Sequence, residues 1–311
     1  MDDASQPLTM REAAFEHSRA EIKKHEQNRD YLYLDNFDLN KGQPVHAGTV
    51  GWGFNIKSKN TRDALMQAQD NFRKHNPKAL TGKQLIASLR RDERALSNNF
   101  NALVTRWGSM TTKEKSAWRK MYNAKGGMER KNFLYVENNR ARTALISKGL
   151  MTQLDPNVGN ATLDILVNQS LDTVEKNYSH IMPYMNYLQW GVIADMNFNG
   201  PKLVNKSTNF YKNLSDQAKK INSDIDRNFG FKPQDIPRSE WESFRGGVSI
   251  EDDYGLDWHR SIWEVYRNSA RSGGKFNQGL QNRRNQDAEN LVISIGGDPS
   301  DMTPYEHKAR Q

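Results

Sequence analysis

Apolar residues recur at helical spacing over most of the chain, and one stretch near the start alternates like a strand instead. Thr9-Met10-Arg11-Glu12 predicts a helix start, since a Thr hydroxyl can cap the first turn while Glu three residues later bonds back. That helix is expected to run to about Gln27, because Asn28-Arg29-Asp30 is poor helix material. Tyr31-Leu32-Tyr33-Leu34 predicts a short strand. Residues 35–48 are turn-rich, with Asn36, Asn40, Gly42 and Pro44, and Thr49 to Ile56 predicts a second strand. The glycines of that strand indicate a bend or a close backbone approach.

Beyond this small sheet the pattern is helical. Thr81-Gly82-Lys83-Gln84 is a second capping box, ahead of Leu85, Leu89, Leu96, Phe100 and Leu103. Thr111 to Glu114 starts a third helix carrying Trp118 and Met121, while periodicity across 109–159 is weak. Leu163, Leu166, Val167, Leu171, Val174, Tyr178 and Ile181 form a clear helical stripe. Met185 to Phe198 reads as a more buried helix, 230–257 as loop, and Trp258 to Ser269 and Asn277 to Ile295 as the last helices. The expected fold is α+β and predominantly helical, with a small antiparallel sheet lobe and a larger helical lobe. Four regions follow: 1–58 with the first helix and sheet, an expanded or inserted helical region at 59–160, a helical lobe at 161–295, and a tail at 296–311.

Composition narrows the function classes. With 311 residues, 7 Trp, 12 Phe and 11 Tyr, the chain can bury a substantial core. Zero cysteine excludes disulfides, thiolate metal sites and a cysteine nucleophile. No apolar run approaches a membrane span, and the acidic start MDDASQPLTMREAAFEH does not read as a secretory signal. The expectation is a product made in the cytoplasm that reaches any outside target by another route. A formal net charge of +8 suits a polyanionic partner. The densest basic cluster is Arg271, Lys275, Arg283 and Arg284.

The seven histidines show no metal-binding spacing, and no phosphate loop is present. Asp155-Pro156-Asn157-Val158-Gly159 and Glu251-Asp252-Asp253 carry oxygen ligands without the EF-hand spacing, so turns explain them better. No cofactor and no metal are expected. Glu26, Asp35 and Thr49 form a constellation with a possible chemistry, although an isolated Glu-x8-Asp pair is more often two solvated charges. Two carboxylates facing one bond are what glycoside hydrolysis requires: one donates a proton to the leaving oxygen, and the other activates water or steadies a cation. A neighbouring Thr hydroxyl helps hold the water. Trp52 stands where it could stack on a sugar.

Those residues sit in a longer pattern. Ile22 to Glu26, then Tyr31-Leu32-Tyr33-Leu34-Asp35, then Gly48-Thr49-Val50-Gly51-Trp52-Gly53 resembles the start of the phage-type lysozymes, with Asp35 nine positions after Glu26. Ala194-Asp195-Met196-Asn197-Phe198-Asn199-Gly200 resembles that family's central helix, which ends in Phe-Asn-Gly. Ser207-Thr208 with Leu214 resembles the segment after it, and Gly279 to Leu291 its closing Gly-Leu-x-x-Arg-Arg-x-x-Glu helix. The matched pieces, in order, cover about half the chain.

The resemblance implies a muramidase cleaving the β-1,4 bond between N-acetylmuramic acid and N-acetylglucosamine in peptidoglycan. It implies Glu26 as general acid and Asp35 with Thr49 activating water, an inverting reaction. It places Asn199, Arg283 and Arg284 along the substrate cleft, an Arg either binding wall carboxylates or buttressing the Glu; the alternatives are a helix C-cap before Gly200 for Asn199 and a helix surface or a salt bridge to Glu289 for the arginines. A phage lytic enzyme and a secreted antibacterial effector both fit, and a cognate immunity protein is expected in the effector case. The 35–49 hairpin is longer than the family's, which leaves Asp38 competing with Asp35, and Phe54 stands where the family often has His. A non-catalytic, lysozyme-like wall-binding or structural module is the alternative. Nucleic acid is not expected as a partner.

Overall fold

The computed structural model describes residues 8–34, 37–38, 43–44, 48–121, 129–237, 240, 256–267, 271–272, 275–276 and 278–301. It is α+β and predominantly helical, with a small three-stranded antiparallel sheet. The chain divides into two compact units. One, the sheet unit, is Glu26–Leu166; the other, the helical unit, combines Met1–His25 with Val167–Gln311. The expected 1–58 region grouped the first helix with the sheet; the division instead falls directly after that helix. The reason lies in the helix's buried face.

In the helical unit, α1 (Met10–His25) is capped as its sequence predicts: the Glu12 amide donates to Thr9 Oγ1 at 3.3 Å and the Thr9 amide to Glu12 Oε2 at 2.8 Å. Its buried residues are Ala14, Ser18 and Ile22, spaced for one helical face. That face packs on α7 (Tyr187–Asn199), whose residues 189–196 are all buried. The two backbones approach closely at Gly191, where a Cβ would lie 2.9 Å from the His17 ring and 3.0 Å from the Ala14 carbonyl oxygen. Arg11 extends from α1 to Asp172 and Glu175 on α6 (Pro156–Asn177). Next, α8 (Asn209–Phe229) buries Phe210, Tyr211, Leu214, Ala218, Ile221 and Ile225 and ends on a left-handed Gly230. The last helices are α9 (His259–Arg267) and α10 (Gln278–Ser294), each close to its expected range.

The sheet unit is built on β1 (Arg29–Leu34), β4 (Gly48–Gly51) and β5 (Phe54–Asn55), in the order β1-β4-β5. A separate two-stranded ladder pairs β2 (Phe37–Asp38) with β3 (Gln43–Pro44). The single strand expected over Thr49–Ile56 is a tight hairpin instead, with Val50 opposite Phe54. Gly51 and Gly53 take φ of 61° and 80°, where side chains carrying a Cβ are strained, and they turn the chain back on itself.

Helices cover this sheet. α2 (Lys59–His75) precedes the 28-residue α3 (Gly82–Ser109), whose Thr81–Gln84 capping box forms as expected. α4 (Thr112–Met121) and α5 (Glu129–Ser147) follow. Trp107, Trp118 and Phe133 knit α3, α4 and α5 together, with ring centroids 5.0 to 6.2 Å apart. Periodicity does not reveal α5 because its described buried residues are only Phe133, Leu134 and Asn138. Its other anchor is polar: the Arg142 guanidinium donates to the carbonyls of Tyr31 and Leu32 on β1, at 2.9 Å each. α6 begins at Pro156, ahead of its apolar stripe, with Asp155 accepting from the Asn157 amide at 2.8 Å. The Asp155–Gly159 run is therefore a helix start. The Glu251–Asp253 run lies outside the described residues.

Candidate active site

Glu26 is the first residue beyond α1, and it is half-buried. Its carboxyl group lies against the β4–β5 turn. A Cβ built on Gly53 would come 3.0 Å from Glu26 Oε2 and 3.2 Å from Cδ. Gly53 thus meets two demands at once: the turn needs a positive φ, and the carboxyl occupies the space a side chain would take. Thr49 stands on β4 of the same hairpin, paired with Tyr33 on β1 and Asn55 on β5, and is 5% exposed. Gly48, beside it, donates its amide to Glu93 Oε1 on α3 at 3.3 Å. Trp52, in the turn, is half-buried and donates its indole N–H to Asn160 Oδ1 on α6 at 3.3 Å.

Asp35 lies outside the described residues. Asp38 is placed by backbone register alone, opposite Gln43. The sheet unit therefore holds Glu26, Thr49 and Trp52 on or against one hairpin. Chemically, it offers a carboxyl group packed on a turn that carries an aromatic ring, next to a strand bearing a hydroxyl.

Asn199, Arg283 and Arg284 belong to the helical unit and are engaged there with its own side chains. Arg283 Nη2 donates to Asp195 Oδ1 at 2.9 Å, and Arg284 Nη1 donates to Asp287. Asn199 Nδ2 donates to both the backbone oxygen and Oδ1 of Asp195, at 2.9 and 3.0 Å. The two arginines are 6% and 4% exposed. The resemblance places them along a substrate cleft, with a helix-surface or salt-bridge role as the alternative; here each bonds an aspartate, because removing a guanidinium from water requires a paired carboxylate. Asn199 likewise closes the end of α7 onto Asp195. His25, the last residue of α1, is lowered from the ordinary histidine range, first by burial and then by the Arg283 charge.

Glu93, Asn160, Asp195 and Asp287 carry contacts that sequence reading gave no role. Two had a local signal: Asp287 stands three residues after Arg284, and Asp195 four before Asn199, spacings that meet on one helix face. Glu93 and Asn160 had none, since their partners are 45 and 108 residues away.

No protein-family model, curated protein or solved structure matches this chain. Among the described residues, no helix is long and apolar enough to cross a membrane. Among them, too, no three His, Asp or Glu side chains stand together as metal ligands do.

Proposed function

We propose that the chain is a peptidoglycan hydrolase with a lysozyme-like fold, a muramidase acting with inversion on the β-1,4 bond between N-acetylmuramic acid and N-acetylglucosamine. One observation carries the reading: the Glu26 carboxyl, at the end of the first helix, is seated on Gly53 of the hairpin that bears Thr49. The order of motifs from Glu26 to Arg284 supports it. In the proposed reaction Glu26 protonates the glycosidic oxygen as its bond to the anomeric carbon breaks. Asp35 takes a proton from a water that Thr49 helps hold, and that water attacks from the opposite face of the sugar. The products are a free reducing end and a free hydroxyl. Trp52, its indole fixed by Asn160, offers a stacking face to a sugar ring.

The net charge of +8 suits a wall rich in carboxylate and phosphate. A phage lytic enzyme or an antibacterial effector, the latter with an immunity protein, fits this activity. A second reading, a lysozyme-like wall-binding module without catalysis, has one observation in its favour. Thr49 is only 5% exposed, a poor position for holding a water.

The test is incubation of the protein and its Glu26→Gln variant with purified sacculi, with released fragments identified by mass spectrometry. Reducing muropeptides from the unmodified chain alone are expected. Anhydro products would keep the substrate and overturn the hydrolytic mechanism. Binding without release by either protein would favour the non-catalytic module, and neither binding nor release would sink the wall reading.

A further inference from the structure

Charge is divided unevenly between the two units. The sheet unit, Glu26–Leu166, holds 23 Lys and Arg against 13 Asp and Glu. The helical unit holds 22 against 24, so the positive excess belongs entirely to the sheet unit. In α2 and α3 all four acidic side chains are engaged within the unit: Asp63 with Lys59, Asp70 with the Gly82 amide, Asp92 with the Thr152 amide and Glu93 with the Gly48 amide. Lys83, Arg90 and Arg94 of α3 are exposed and form no ion pair among the described residues. Their spacings of seven and four set them on one stripe of the helix. Arg73 and Lys78, at the end of α2 and in the turn that leads into α3, are exposed as well.

Two of these placements work against the helix itself. Lys83 lies in the first turn of α3, which has no acidic residue, and there a positive charge opposes the helix dipole. Arg90 and Arg94 are like charges four residues apart, which repel. The Arg94 side chain even folds back to donate from Nε to the Arg90 carbonyl oxygen at 3.3 Å. An anionic chain laid along the stripe relieves both penalties at once. We propose, resting on the muramidase reading above, that the outer face of α3, with the end of α2, binds the stem-peptide carboxylates of peptidoglycan and anchors the sheet unit to the wall.

The anchor and the proposed chemistry share one packed unit. Glu93 ties α3 to Gly48, beside Thr49, on the hairpin against which the Glu26 carboxyl rests. Guanidinium groups accept carboxylates through two parallel hydrogen bonds, so Arg90 and Arg94 suit a partner that repeats carboxylates along its length. Single-stranded nucleic acid fits the stripe less well. Its residues from Lys83 to Thr105, at spacings of three and four, include no aromatic ring on which a base could stack.

The experiment measures co-sedimentation with sacculi stripped of phosphate polymers, in the full-length Glu26→Gln chain so that the wall is not consumed. Into it go Lys83→Gln, Arg90→Gln and Arg94→Gln together, and separately Lys212→Gln, Lys219→Gln and Lys220→Gln, which remove three exposed charges from α8. The α3 triple is expected to bind about tenfold more weakly at low salt, as three exposed charge contacts are lost, and the α8 triple to bind as its parent does. Equal weakening by both would overturn the proposal in favour of net charge alone, and so would no weakening by the α3 triple. Loss of duplex DNA binding by the α3 triple with wall binding intact would also overturn it. Should the α3 triple fail to fold, sacculi with amidated carboxylates decide: binding of the parent should fall on amidation, and unchanged binding overturns the carboxylate partner. Muropeptide release by the unmodified chain is followed in parallel. Release together with an ineffective α3 triple sinks this inference alone, whereas neither binding nor release sinks the muramidase reading and the anchor with it.

Discussion

Glu26, Gly53 and Arg283 each hold a position that one substitution interrogates. Glu26→Gln keeps the volume at the hairpin and removes the transferable proton. On the proposed mechanism, muropeptide release should fall by about 10²–10⁴ while the melting temperature barely moves, since general acid catalysis is worth about that factor. Gly53→Ala should impair both properties. Its methyl would meet Glu26 Oε2 at 3.0 Å, and its φ of 80° strains any residue with a Cβ. A loss of about 1–2 kcal/mol in denaturant unfolding is expected, with turnover reduced further because the carboxyl is displaced. Should Gly53→Ala retain full turnover, the seating of Glu26 on the turn would not matter to catalysis. Arg283→Ala leaves Asp195 without its guanidinium in a site only 2% exposed. Stranding a buried charge costs about 3–5 kcal/mol, so urea unfolding should show a large loss. A change near zero would mean that the pair contributes little.

At the scale of elements, the sheet unit depends on polar anchors as much as on apolar stripes. α5 is the clearest case, since Arg142 bonds two β1 carbonyls directly. Arg142→Ala should cost about 1.5–3 kcal/mol, the range for hydrogen bonds to a charged group, and amide exchange should accelerate first in β1. Excising 105–160 would remove α4, α5, the Trp107–Trp118–Phe133 cluster and the Asn160 partner of Trp52. That chain is expected to aggregate, which light scattering after refolding would reveal. A soluble, active product would mean that the region is a dispensable appendage. The helix starts at Thr9, Thr81 and Thr111 were legible in sequence because a cap is a local bond between residues three apart. The whole of α5 was not, because its polar partners on β1 lie elsewhere in the chain; the start of α6 is local, set by Asp155 and Pro156, but the same residues also suit a turn.

At the scale of the molecule, the net charge of +8 makes a prediction that needs no detailed geometry. Association with anionic sacculi should weaken steeply between low and physiological salt, as screening shortens the reach of surface charge to about 8 Å. Salt-independent binding would point to specific contacts in place of a charged surface.

The sequence alone determined the helical character of the chain, its small sheet, most helix starts and the ordering of Glu26, Asp35 and Thr49, because caps, turns and periodic stripes are short-range properties of neighbouring residues. Tertiary structure decided that α1 packs with α7, that the glycines at 51 and 53 fold one expected strand into a hairpin, and that the Glu26 carboxyl rests on Gly53. It also decided the fate of Arg283 and Arg284. Sequence marks them as adjacent positive charges with Asp287 one turn from Arg284, and whether they are withdrawn from water depends on which helix covers them. Here α7 supplies Asp195, α10 supplies Asp287, and the cost of burying a charge commits each arginine to its partner.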